Sequence, residues 1–141
     1  MEKELRKLIK RLHSIRLPDD VAREIFKFGK PGYNYLWTVI DDPSLTDYQV
    51  INLLRALYQM KYHDIDLFVN KLLSLTQDKR IEVRSTATFL AICLYRISDR
   101  FKELNIPLKE EMLTQYLYKA LNLGLNEGIV EEVQDVLKVS I

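Results

Sequence analysis

The sequence predicts an all-α protein of about eight helices, paired as roughly four antiparallel hairpins. Three observations carry this expectation. Apolar residues recur with helical period along nearly the whole chain, and no stretch alternates with period two. Gly and Pro number only four each in 141 residues, too few for the turns of a β-sandwich. The breaks between periodic segments carry helix-start and helix-stop chemistry. With 48% hydrophobic residues, the chain has surface enough to bury as one helical domain over 1–141 without a disulfide or a metal.

Each element has its own signal. Leu5, Leu8, Ile9, Leu12 and Ile15 mark a first helix near 3–15. Pro18 opens a second, near 19–28, carrying Val21, Ile25, Phe26 and Phe28; Gly29, Pro31 and Gly32 end it. A third, near 33–41, places Tyr33, Tyr35 and Trp37 on one short element and stops at Asp41-Asp42-Pro43. Thr46 with Gln49 three residues on is a capping-box pattern for a fourth, near 47–61, which carries Val50, Leu53, Leu54 and Leu57. Ile65, Phe68, Val69 and Leu72 mark a fifth, near 64–76. Asp78 is placed to cap a sixth, near 79–103. There Val83, Ala87, Leu90, Leu94 and Ile97 form one face, while Phe89, Ile92 and Cys93 lie on other sides. A helix apolar on so many flanks belongs at the centre of a fold, leaving Arg84, Thr88 and Tyr95 as its one exposed stripe. Pro107 precedes a seventh, near 108–123, and the turn over 122–128 leads into an eighth, near 127–138, with Ile129, Val133, Val136 and Leu137 inward.

The net charge is +1, which speaks against a chain built to grip a nucleic-acid backbone. Its distribution is uneven. Residues 1–30 hold nine basic side chains against five acidic, whereas residues 98–141 hold five against eight. A single cysteine, Cys93, excludes an internal disulfide and lies in an apolar run where it reads as a small buried hydrophobe. The start of the chain has no signal-peptide pattern, and no apolar stretch reaches the ~18 residues that span a bilayer. A reducing cytoplasm is the expected compartment.

One segment resembles a known repeat family. Leu72-Leu73-Ser74-Leu75-Thr76-Gln77-Asp78, then Glu82-Val83-Arg84, then Ala87 and Leu90, is similar to a HEAT repeat of the armadillo type. That family closes its first helix with Leu and Asp and opens its second with Val-Arg. A weaker echo is Val39-Ile40-Asp41-Asp42 followed by Val50, Leu53 and Leu54, where Ile51 stands in place of the arginine. A fainter one runs from Leu12 to Asp20, then Val21 and Ile25. The resemblance implies a right-handed stack of hairpins whose second helices line a concave side; a compact, non-repeating helical bundle is the alternative. It implies a groove running from Tyr48 and Arg55, past Arg84, Thr88 and Tyr95, to Glu131, Glu132 and Asp135.

The chemical inventory is thin. There is no glycine-rich phosphate loop, nucleophile elbow or paired-cysteine motif. His13 closes the first helix, where a cation suits the helix dipole. His63-Asp64, with Asp66, is weakly similar to the doublet of HD-domain phosphohydrolases, which would also need His13 and Asp99 or Asp135; at the start of a helix, Asp64 reads as a cap. No catalytic, metal or cofactor residue is assigned. The basic face Lys3, Arg6, Lys7 and Lys10 offers phosphate contacts, and nucleic-acid binding is one alternative function. The more suggestive feature is a strip on the fourth helix opposite its leucines: Tyr48, Asn52, Arg55, Gln59 and Tyr62, residue types found in protein-binding hot spots. The expected function is a non-catalytic protein-binding module acting in a 1:1 complex. The resemblance extends this to an adaptor or scaffold or, more narrowly, to a bacterial immunity protein that neutralises a cognate toxin such as a nuclease by binding it.

Overall fold

A computed structural model describes residues 1–140, with side chains described through Lys138. It is all-α: among the described residues there are nine α-helices and one 3₁₀ turn, and no strand. They are α1 (Glu2–Lys10), α2 (Asp19–Phe26), α3 (Gly29–Val39), α4 (Asp47–Gln59), the 3₁₀ turn Lys61–His63, α5 (Ile65–Leu75), α6 (Ile81–Arg96), α7 (Ser98–Glu103), α8 (Glu110–Leu123) and α9 (Glu127–Ser140). The chain divides into two compact units, residues 1–68 and Val69 onward, with the division inside α5. Among the described residues, no helix is long and apolar enough to cross a membrane.

In the first unit α1, α2 and α3 all pack on α4. The core is built from Leu5, Leu12, Ile25, Leu36, Leu53 and Leu54, with Tyr33 fully buried among them. Tyr33, Tyr35 and Trp37 are therefore core residues, at 0%, 8% and 3% exposure. Tyr33 donates to the carbonyl of Asp64 (2.8 Å), and Trp37 sits edge-on between Tyr33 and Phe68. Local signals were accurate here. The Thr46–Gln49 capping box forms in both directions, at 2.8 and 3.2 Å. Pro18 immediately precedes α2. Asp64 caps α5, its carboxylate accepting from the Leu67 amide at 3.1 Å.

Two boundaries differ from expectation. The first helix ends at Lys10, not near residue 15. Side chains of α4 take the carbonyls of Leu12, Ser14 and Ile15, and these long-range bonds replace continued helix. Ile15, expected on the apolar face, is 69% exposed as a result. The third helix begins at Gly29 and contains Pro31 and Gly32 in its first turns. Proline is tolerated there because first-turn amides have no intrahelical acceptor. Gly29 takes φ +59°, which makes the reversal from α2. Gly32 has no room for a side chain, since a Cβ would lie 2.5 Å from the Cβ of Phe28.

In the second unit α6 packs against both α8 and α9, and α8 packs against α9. The expected central position of this helix is seen in its long buried set, which includes Val83, Ala87, Leu90, Ala91, Ile92 and Leu94. The expected single helix over 79–103 breaks at Ile97 (φ −107°, ψ 18°), so α7 is a separate element. Ser98 and Asp99 follow the break, and both residue types favour helix starts over helix interiors. Asp78 does not cap α6. Its carboxylate turns back to accept from the Arg80 amide and guanidinium at 2.9 Å, and Arg80 occupies the N-cap position.

Candidate functional site

The strip predicted on α4 is divided by the segment that precedes α2. Asn52 was expected at the surface and is 0% exposed. Its amide donates to the carbonyls of Leu12 (2.8 Å) and Ser14 (2.7 Å), so it is a structural anchor and no part of an exposed surface. Next to it Arg55, half-buried, donates to the Ile15 carbonyl (2.7 Å) and the Asn52 side-chain oxygen (2.9 Å). Burial lowers the Arg55 pKa from its ordinary value, and the neighbouring Tyr48 opposes that.

Three side chains of this ridge remain open: Tyr48 at 40% exposure, Tyr62 at 49% and Ile15 at 69%. Gln59 is exposed beside them. The rings are held. The Lys61 ammonium lies 4.0 Å from the centre of the Tyr58 ring and 4.7 Å from that of Tyr62, and donates to the Tyr58 carbonyl. At an exposed site a cation–π contact of this kind contributes about 0.5–1 kcal/mol. Ile15 was missed as a ridge residue because helical periodicity assigned it to the core of α1.

In the second unit the expected exposed stripe of α6 is largely buried. Arg84 is 7% exposed and Thr88 0%, while Tyr95 is half-buried. Arg84 donates to the carbonyls of Gly124 (2.7 Å), Leu123 (3.3 Å), Asp78 (2.8 Å) and Lys79 (3.4 Å). Those of Leu123 and Gly124 close α8, where the negative end of the helix dipole stabilises a cation. The outward edge of α6 runs instead through Glu82, Phe89 and Arg96, with Phe89 at 40% exposure and Cys93 half-buried beside it. Glu82 accepts from Asn126, and Arg96 pairs with Glu132. The spacing 82, 89, 93, 96, with opposite charges at its two ends, was the signal for this edge. Of the predicted acidic residues Glu131 and Asp135 are exposed, and Glu132 is half-buried in its pair with Arg96.

His13 bonds the Lys10 carbonyl through Nδ1 at 3.0 Å, just beyond the end of α1. His63 packs against the Tyr33 ring. Among the described residues, no group of three or more His, Cys, Asp or Glu is placed to hold a metal ion. The basic residues Lys3, Arg6, Lys7 and Lys10 of α1 are all exposed. No family model, curated protein or solved structure matches the chain.

Proposed function

We propose that this chain is a non-catalytic protein-binding module that contacts its partner through the α4 ridge, with Tyr48, Tyr62 and Ile15 as the contact residues. One observation carries this reading: two tyrosines and an isoleucine stand exposed, and hydrogen bonds from Asn52 and Arg55 fasten the segment that carries Ile15 to α4. Tyrosine gives large contact area at little entropic cost, and a pre-ordered surface loses less freedom on association. The similarity of residues 64–98 to a HEAT repeat supports the same general class. The narrower reading is an inhibitor of the immunity type, which neutralises a cognate toxin by covering it. It is supported by α9, which exposes Glu127, Glu131 and Asp135 at four-residue intervals, a stripe suited to a basic partner.

The test is capture of a partner from native lysate, followed by calorimetry of the purified pair. A 1:1 complex weakened by ~2 kcal/mol or more in the Tyr48→Ala, Tyr62→Ala double variant is the expected result. Unchanged affinity would remove the ridge from the interface. For the narrower reading the captured partner's own activity must fall when the complex forms. Phosphoester turnover by the purified chain, abolished by His63→Ala, would replace the binding reading with the phosphohydrolase one.

A further inference from the structure

The first unit contains a cavity of about 330 Å³ between α1 and the turn joining α3 to α4. That volume lies at the lower end of small-molecule sites. Ile9, Val39 and Leu45 form its apolar part. Three of its polar residues are already committed. The Gln49 amide accepts from Thr46 and donates to the Ile9 carbonyl, and Ser44 donates both its amide (2.9 Å) and its hydroxyl (2.8 Å) to one oxygen of Asp42.

The remaining polar groups are cations. Arg6 and Lys10 stand one helical turn apart on α1 and line the cavity. Among the described residues neither donates a hydrogen bond or closes an ion pair, although Arg6 lies in the field of Asp42. Two cations against one internally bonded carboxylate leave an excess of one positive charge. Apolar lining beside that charge favours a ligand with both characters.

We propose that this cavity binds a small monocarboxylate with a short apolar chain. Arg6 and Lys10 hold the carboxylate, and Ile9, Val39 and Leu45 cover the chain. Asp42 repels a second negative charge, which disfavours phosphate and other polyanions. The site is separate from the α4 ridge, since neither Tyr48 nor Tyr62 lines it.

Amide-resolved NMR titration of the full chain tests this, with sodium hexanoate as the probe and inorganic phosphate and 1-hexanol as companions. Hexanoate is expected to give saturable shifts at Ile9, Lys10, Val39, Ser44 and Gln49, with both companions binding more weakly. Both cationic side chains are exposed, so the Arg6→Ala, Lys10→Ala variant should keep the fold, which the same spectra verify. Its hexanoate affinity should fall at least about tenfold, the loss expected for a charge-assisted contact. Absence of localised shifts would overturn the proposal. So would phosphate or hexanol binding as well as hexanoate, or an affinity unchanged in the variant.

Discussion

Asn52 in the first unit and Arg84 in the second solve one problem with different chemistry. Each projects from a central helix and binds a backbone carbonyl 40 residues away, Leu12 for Asn52 and Gly124 for Arg84. The first unit fastens a segment that precedes its helix; the second fastens the one that follows and also the turn just before it. Asn52 is neutral and can be wholly buried at modest desolvation cost, serving two carbonyls. Arg84 is charged and spreads its guanidinium over four carbonyl oxygens, with no carboxylate among its acceptors. A buried cation is tolerable when fixed dipoles, here at the end of α8, replace its water. A polar residue on a helix face is thus no sign of an exposed surface where an irregular segment needs donors for its carbonyls.

The contrast can be broken at several strengths. Arg84→Met keeps most of the volume and removes every donor. It should lower unfolding stability by roughly 3 kcal/mol or more, because hydrogen bonds from charged groups are worth about 1.5–3 kcal/mol each and are not fully additive. Urea denaturation followed by circular dichroism measures this, and Arg84→Lys should restore only part, lacking the fork. Asn52→Leu should cost less, about 2 kcal/mol, by leaving the Leu12 and Ser14 carbonyls without a donor. If the two losses are equal, charge adds nothing to the second anchor.

A third test uses pH. Burial alone would raise the Asp78 pKa, but the hydrogen bonds and charge of Arg80 outweigh it and hold the carboxyl below its ordinary 3.8. The folded value lies below the unfolded one, so the stabilisation is present above the unfolded value. It is lost as the pH falls through the folded value. Asp78→Asn should therefore be less stable than wild type at neutral pH, the difference vanishing in acid; urea midpoints across the acid range check it. The smallest effect is expected from Arg55→Met, about 1 kcal/mol, because its guanidinium is half-solvated and Asn52 still holds the same segment. Loss of amide protection confined to residues 12–16 in hydrogen exchange would identify that contact.

What could be read from the chain follows the range of the interaction. The capping box at Thr46 and the cap at Asp64 depend on partners three residues away, and both formed as expected. The early end of α1 depends on Asn52 and Arg55, and no local pattern announces donors some 40 positions distant. The candidate surface divides in the same way. Tyr48, Gln59, Tyr62, Glu131 and Asp135 are open, as their helical positions implied. Asn52, Arg84 and Thr88 share equally plausible positions but are buried, Asn52 and Arg84 beneath segments of their own units that they hold by hydrogen bonds. Phe89 shows the converse error: an apolar residue on an apolar helix was assigned to packing, yet it is 40% exposed.

The only tryptophan, Trp37, is 3% exposed and wedged between Tyr33 and Phe68. Its emission therefore reports on its surroundings within residues 1–68, at Tyr33 and Phe68. Ellipticity at 222 nm sums over all the helices. Melting curves recorded by the two signals should coincide if the chain opens in one concerted event and separate if its halves open independently, so this indole is a built-in gauge of cooperativity.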